Sequence, residues 1–453
     1  MNEKLIRFSE KVKGKKIAVI GIGISNAPLI KFLIKQGAEI SAYDKKNKEQ
    51  LGEIYTELSK LGVSFNLGEG YLDNIKEDII FKTPGMRYDN PALMKAKERG
   101  AWITSEMEVF FDICPAKIIA VTGSDGKTTT TTLINKFLTA AGYKTRLGGN
   151  IGRPLIGEID EITPDEWIVL ELSSFQLHTM RQSPDIAVIT NITPNHLDWH
   201  TDYNEYIESK KNIMLYQSEK GRVVLNCNNE ETKKLISSAN GEVVTFSAYR
   251  DADVYLKDNS IFKGDEKLLE INEIKIPGMH NVENYMTAIA AVYDLVPKAV
   301  FCEVAKSFGG VEHRIELVRT LDGVKYYNSS IDSSPNRSIN TLRVFGNNVI
   351  MIAGGKDKGI PYDEIGPSVV EHVKSLVLIG KTADKIEDAV KKATGGDKVR
   401  ILRADTYPEA VNLARNEAVS GDVVILSPAS TSFDMFNNFE ERGNLFKEIV
   451  LSL

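Results

Sequence analysis

Short apolar runs that end in glycine or an acid alternate along this chain with segments apolar at every third or fourth position. "KKIAVIGIG" (residues 15–23) reads as a strand, "NAPLIKFLIKQG" (26–37) as a helix stopped by Gly37, and "EISAYD" (39–44) as a second strand. "DIIFKTPG" and the helical "NPALMKAKERG" continue the alternation, which predicts an open parallel sheet. From about Glu106 the pattern restarts. "AKIIAVTG" is a strand and "GKTTTTTLINKFLTAAG" a helix closing at Gly142. "EWIVLELSS" and "PDIAVITNIT" are strands apolar on both faces, as a sheet covered on both sides requires. Residues 263–276 read as antiparallel strands, and "NVENYMTAIAAVYDL" as the helix closing this block. From about Gly310, "NVIMIAGG", "SLVLIG", "KVRILR" and "DVVILSPAS" are strands, with "TADKIEDAVKKAT" and "YPEAVNLARNEAV" as helices between them. The expected architecture is α/β in three blocks, 1–105, 106–309 and 310–453, which agrees with a length of 453 residues.

Composition narrows the classes of function. A net charge of −6 and an acidic balance argue against a nonspecific nucleic-acid binder. Cys114, Cys227 and Cys302 lie far apart with no C-x-x-C, so neither a zinc nor a disulfide framework is expected, and a reducing cytoplasm fits. Lysines before "IAVIGIGIS" imitate a signal peptide. Glu3 and Glu10 interrupt the basic stretch, and the run is far below the ~20 residues needed to span a bilayer. No membrane association is expected.

Candidate chemistry begins at "VTGSDGKTTT", residues 121–130. A strand, a glycine-bearing loop and a helix starting near Lys127 form a phosphate loop, whose backbone N–H groups and helix N-terminus face anionic oxygens. Lys127 would neutralise phosphate charge and the Thr128 hydroxyl would ligate Mg²⁺. The residue six before Lys127 is Val121, where the general motif has Gly, which disfavours a switch GTPase or motor ATPase. Glu171, at a strand end, suits a Mg²⁺ ligand or a structural ion pair. His196 and Asp198 in "TNITPNHLDWH" point to a second metal position. Lys210 and Lys211, taken alone, read as a solvated helix face. In "GIGISN", Asn26 replaces the third Gly of G-x-G-x-x-G, which disfavours a nicotinamide dehydrogenase. A tight turn without ligand, or a site for a different nucleotide-like ligand with Asp44 at the second strand end, are the remaining readings.

Taken together, "TGSDGKTTT", "GGNIG", "ELSSFQL", "NITPNHLD", "GMHNVENYMTAIAA", "EHR" and "LSPASTSFDMFNNFEERG" resemble the Mur ligase family, in the family's order and over nearly the whole chain. The family's loop also lacks the first Gly. The resemblance implies a Rossmann-like N-terminal domain holding a UDP-sugar, a central phosphate-loop ATPase, and a Rossmann-like C-terminal domain holding the incoming amino acid. "ELSSFQL" and "SFDMFNNFEERG" point to members that add D-glutamate to UDP-N-acetylmuramoyl-L-alanine through an acyl phosphate.

By the same resemblance, Gly123, Ser124, Gly126, Lys127, Thr128 and Thr129 would hold ATP. Asn281 and Asn284 would meet the adenine, and Arg314 a phosphate. Thr128, Glu171, His196 and Lys210 would serve two Mg²⁺ ions, with Lys210 carbamylated, since it lies four residues after Tyr206 as in the family's Y-x-x-x-K. Ser25, Asp44, Thr83 and Gly85 would cradle uridine and diphosphate. Asn150, Ser173 and Gln176 would line the muramoyl side, and Ser333, Lys358, Ser432 and Phe439 the amino-acid pocket. A monomer is expected. The segment "NSSIDSSPNR" (328–337) departs from the "NDSKAT" frequent in glutamate-adding members. Ser329 stands for Asp and Ile331 for Lys, while Arg337 is a candidate to restore a positive group. Another Mur-type or folylpolyglutamate-type ligase, or a non-catalytic UDP-peptide binder, are the alternatives. "SFDMFNNFEERG" weighs against the folate version, and intact Lys127, Thr128, Glu171, His196 and Lys210 weigh against the binder.

Overall fold

The computed structural model describes residues 2–23 and 25–453. Chain contacts divide it into two units, one of residues up to Glu273 with His280–Val304, the other of Ile274–Met279 with Ala305–Leu453.

The first unit holds two sheets. The N-terminal one is parallel throughout, in the spatial order Ser64–Leu67, Glu39–Asp44, Lys16–Ile20, Ile79–Phe81, Trp102–Thr104. Strand order reverses beside Lys16–Ile20, so the loops after Ile20 and Phe81 flank a topological switch point, where open α/β sheets bind ligands. Asp44 shapes the first of these loops. Its carboxylate accepts the backbone N–H of Ile22 (2.6 Å) and of Lys46 (2.9 Å). Asn26 explains how the turn closes without a third glycine. It is buried, and its amide donates to the carbonyls of Ile20 (3.0 Å) and Gly21 (2.9 Å).

The second sheet of this unit runs Glu266–Glu270, Ser260–Lys263, Val254–Lys257, Glu242–Ser247, Arg222–Asn226, Ile186–Ile189, Lys117–Thr122, Trp167–Glu171, Thr145–Gly149. It is parallel from Thr145–Gly149 to Val254–Lys257 and antiparallel beyond. The antiparallel part therefore begins earlier than the 263–276 read from sequence, and it ends at Glu270. Its strands are short and carry charges, so they lack the long apolar runs that mark the central strands. Lys117–Thr122 sits between Ile186–Ile189 and Trp167–Glu171. Val121 faces Glu171 and Thr122 faces Ile189, so three strand ends meet at one edge. Ile118, Ile119, Ala120 and Val121 are buried, as are Ile168, Val169 and Leu170. Helices on both faces leave no solvated side for an alternating pattern.

One apolar core runs through both sheets of this unit. Ile17 and Val19 of the first sheet, Leu29, Ile30 and Leu33 of helix Asn26–Lys35, Phe110 of helix Glu106–Ile113, and Ile168 and Leu170 of the second sheet belong to it. Removing this much apolar surface from water makes each sheet a support for the other's loops.

The second unit carries a six-stranded sheet in the order Glu316–Leu321, Val324–Asn328, Val423–Leu426, Val349–Ala353, Val373–Leu378, Arg400–Arg403. The first pair is antiparallel and the remaining pairs are parallel. Past the ends of two of its strands the guanidinium of Arg442 is fully buried. It donates to the carbonyls of Ser330 (2.7 Å) and Ser430 (3.0 Å) and to the Ser330 hydroxyl (3.0 Å). Helix Phe439–Ser452 thereby holds the loops that follow two neighbouring strands. Arg442→Met leaves both carbonyls without these donors, and the expected loss of stability is about 2–4 kcal/mol. Denaturant unfolding of the variant measures it, and a change within error of zero contradicts this role.

Candidate active site

The phosphate loop starts where Lys117–Thr122 ends. Gly123 (φ +149°) and Gly126 (φ +76°) adopt backbone conformations that side-chain-bearing residues disfavour. A Cβ on Gly123 would lie 1.8 Å from Thr190 Oγ1, and one on Gly126 would lie 2.3 Å from Asn284 Oδ1. Neighbouring strand ends hold the loop. The backbone N–H of Ser124 donates to Asn191 O (2.9 Å) and that of Asp125 to Asn191 Oδ1 (2.9 Å), while Thr190 Oγ1 donates to Asp125 O (2.6 Å). Helix Lys127–Ala140 follows directly, and the free N–H groups of a helix N-terminus suit anionic oxygens.

Five predicted residues converge here: Lys127, Thr128, Asn150, Glu171 and Lys210. Lys127 Nζ donates to the carbonyls of Gly123 and Ser124, both at 2.9 Å. The Thr128 hydroxyl donates to Glu171 Oε2 (2.7 Å), and Asn150 Nδ2 donates to Glu171 Oε1 (2.9 Å). Glu171 is only 2% exposed, so its burial is matched by a donor at each oxygen. Lys210 lies beneath the loop, 1% exposed, with Nζ donating to Gly123 O (2.7 Å) and Thr122 Oγ1 (3.3 Å). The helix-face reading of this lysine is thus corrected. Helix Tyr203–Leu215 turns the Lys210 side toward the sheet, while Lys211 pairs with Glu208. Burial pushes the Lys210 pKa well below the usual lysine value, and the Lys127 cation lowers it further. Tyr206, one turn earlier, shares a 2.9 Å hydrogen bond with Ser124 Oγ.

His196 is exposed, in a left-handed turn (φ +53°), with its ring packed on Phe175 at 5.0 Å. Partial burial lowers its pKa, as do the Lys127 and Lys210 cations, so the neutral, metal-binding form is favoured. Asn281 accepts from Asn284 Nδ2 (3.1 Å), and Asn284 Oδ1 accepts from Thr130 Oγ1 (3.4 Å), which sets both asparagines beside Gly126. Ser173 caps a short turn reciprocally with Gln176. Among the described residues no group of three or more His, Cys, Asp or Glu forms a preformed metal cluster. Hydroxyl and carboxylate oxygens beside a phosphate loop instead suit Mg²⁺, which keeps water and phosphate oxygens in its shell.

Other predicted residues lie elsewhere. Asp44 and Thr83 stand at the switch point of the N-terminal sheet, with Ser25 just before helix Asn26–Lys35. In the second unit, the Arg314 backbone N–H donates to Val311 O, and Ser333 N–H donates to Ile331 O. Lys358 is exposed on the loop after Gly355, Ser432 is buried, and the Phe439 carbonyl accepts from Ser330 Oγ (2.7 Å). In the departing segment, Ser329 is buried and its hydroxyl accepts from Ile315 N–H. Asp332 is buried and accepts from Ser427 Oγ (2.8 Å), with its pKa raised by burial. Arg337 donates to Ile331 O (3.0 Å), so its guanidinium returns to its own loop.

Sequence reasoning missed Thr190 and Asn191, whose signal was only their place at a strand end. It also missed a cluster beside the phosphate loop. Arg87 forks onto Glu205 (2.9 and 3.0 Å), and buried His200 lies 3.4 Å from Glu205.

Three family descriptions match the chain: Mur ligase MurD-like N-terminal domain over residues 15–105, Mur ligase middle domain over 121–292, and the Mur ligase glutamate ligase domain over 313–430. Relatives match end to end. The UDP-N-acetylmuramoylalanine–D-glutamate ligase of Acetivibrio thermocellus is 54% identical, with all of both chains covered. That of Clostridium perfringens is 50% identical over 99% of each. This chain belongs to the Mur ligase family. Its fold is shared by UDP-N-acetylmuramate-alanine ligase MurC of Thermotoga maritima (TM-score 0.58, 20% identity, 97% of this chain and 99% of that one). It is also shared by a UDP-N-acetylmuramoyl-L-alanyl-D-glutamate–2,6-diaminopimelate ligase (TM-score 0.55, 17% identity, 92% and 87%). No helix among the described residues is long and apolar enough to cross a membrane.

The His200 environment yields a pH test. Burial lowers its pKa to about 4 despite the nearby Glu205 carboxylate. The unfolded value is about 6.5, so the unfolded chain binds the proton more readily. The resulting stability is complete above about pH 6.5 and is lost as pH falls toward 4. His200→Gln is expected to flatten the fall in melting temperature between pH 7 and 4.5. Parallel wild-type and variant curves would contradict it.

Proposed function

We propose that this chain joins D-glutamate to UDP-N-acetylmuramoyl-L-alanine at the expense of ATP, a step of peptidoglycan precursor synthesis in the cytoplasm. Full-length identity of 50–54% to ligases bearing that name supports the reaction. The observation that carries the chemistry is the meeting of Lys127, Thr128, Glu171 and buried Lys210 at one strand edge.

In this reading the loop N–H groups and Lys127 hold the ATP phosphates. Asn281 and Asn284 meet the adenine, Arg314 meets a phosphate, and Thr83, Gly85, Asp44 and Ser25 meet the uridine diphosphate. Asn150, Ser173 and Gln176 line the muramoyl side. The substrate carboxylate takes the γ-phosphoryl group to give an acyl phosphate. The amino group of glutamate then attacks the acyl carbon and phosphate leaves. Carboxylate and phosphate oxygens repel, so cationic groups must screen them. Thr128 with Glu171, and His196 with Lys210, would hold two Mg²⁺ ions, which supply that screening when bound. Lys210 is suited to carbamylation: a buried amine with a depressed pKa is nucleophilic toward CO₂, and the product is an anionic oxygen ligand where the chain has an amine. Ser333, Lys358, Ser432 and Phe439 form the glutamate pocket, with Lys358 offering a cation to the side-chain carboxylate. We read the three segments 1–105, 106–309 and 310–453 as UDP-sugar, ATP and amino-acid domains, acting as a monomer.

The test is ATP-dependent phosphate release with UDP-N-acetylmuramoyl-L-alanine against a panel of amino acids, both glutamate enantiomers included. D-glutamate is expected to be preferred, and Lys127→Ala to reduce turnover by roughly 10³-fold or more. Preference for another amino acid would replace the specificity assigned to the pocket, and no turnover with any would leave a binder. For Lys210, ¹³C-bicarbonate is expected to give a carbamate NMR signal that Lys210→Arg abolishes. A crystal structure showing a bare amine with Mg²⁺ and bicarbonate present would overturn the carbamate.

A further inference from the structure

Two loops carrying different parts of the proposed site are joined by a cluster to which neither the family motifs nor the reaction assigns a role. Gly85 follows strand Ile79–Phe81 of the N-terminal sheet, and its carbonyl accepts the indole N–H of Trp199 at 2.9 Å. Trp199 belongs to the turn after strand Ile186–Ile189, where its backbone N–H donates to His196 O (3.1 Å). Arg87 closes the connection from the other side. Its Nη1 donates to Trp199 O (2.9 Å), and its two terminal nitrogens reach Glu205 in the first turn of the helix that carries Lys210. Its guanidinium also lies 5.1 Å from the centre of the Trp199 ring. Arg87 and Glu205 are 23% and 20% exposed, so the fork is only partly screened by water. Hydrogen bonding to Arg87 holds the Glu205 pKa at about 2, which keeps the pair charged at any working pH.

We propose that Trp199, braced by Arg87 and Glu205, is a positioning residue. It sets the spacing between the Thr83–Gly85 turn and the His196–Lys210 side of the phosphate loop. The inference rests on the reading above, in which the first takes the uridine diphosphate and the second receives the substrate carboxylate. A ligand that spans both places feels that spacing, because one end bound correctly leaves the other misplaced when the loops drift. A ligand that occupies only the nucleotide end does not. An ordinary packing contact would instead alter stability and affect both ligands alike.

Trp199→Phe keeps an aromatic ring against Phe175 and removes only the N–H, while Arg87→Lys keeps the charge and removes the fork. Calorimetric titration without ATP compares UDP with UDP-N-acetylmuramoyl-L-alanine on wild type and both variants. Each variant is expected to bind the full substrate 5- to 20-fold more weakly, with UDP affinity and the KM for ATP within twofold of wild type. Equal weakening of both ligands, or no weakening of either, overturns the positioning role. Wild-type protein that binds neither ligand and shows no ligase turnover overturns the functional reading instead, and that control tells the two failures apart.

Discussion

Two lysine amines share one carbonyl oxygen at the end of the central strand. Lys127 approaches Gly123 O from the helix that follows, and Lys210 from a helix more than eighty residues later. Each amine makes the other's positive charge more costly, and burial adds to the cost for Lys210. The arrangement persists because the carbonyl, the Thr122 hydroxyl and the nearby Glu171 carboxylate offset part of it. It shapes the electrostatics around it: a fixed cation at the loop, a buried amine short of its usual proton affinity, and an imidazole whose pKa is lowered by partial burial and further by both amines.

The geometry that brings them together belongs to the sheet. Placing Lys117–Thr122 between Ile186–Ile189 and Trp167–Glu171 sets Thr122, Glu171 and the Thr190–Asn191 pair side by side. Gly123 and Gly126 then let the chain pass where a side chain would collide with Thr190 or Asn284. The common core beneath both sheets of the first unit gives the Gly85 loop and the Trp199 turn fixed supports, so hydrogen bonds between them carry positional information.

Much of this was legible from local patterns. Buried runs such as "IIAV" and "WIVL" announced central strands because both faces are covered. The phosphate loop announced itself because glycines, Lys127 and Thr128 act through adjacent backbone. The short strands from Val254 to Glu270 were placed too late in the chain, because edge strands with charged positions give weak periodicity. Asn26 counted against one cofactor, but nothing local revealed that its side chain would bind the carbonyls of the turn it closes.

The sequence by itself determined the class of fold, the phosphate loop and the family resemblance, since each depends on residues close together or on motifs kept in order. Tertiary structure decided the state of Lys210. As a residue in "YIESKKNIML" it is indistinguishable from a solvated lysine, and only packing of that helix against the sheet removes its water. Tertiary structure also decided the contacts of Arg87, Trp199 and Glu205, and those of Arg442. The bonds of Arg87 to Trp199 and Glu205, and of Arg442 to Ser330, join segments more than 110 residues apart, and burial and charge pairing at such separations come from the folded chain alone.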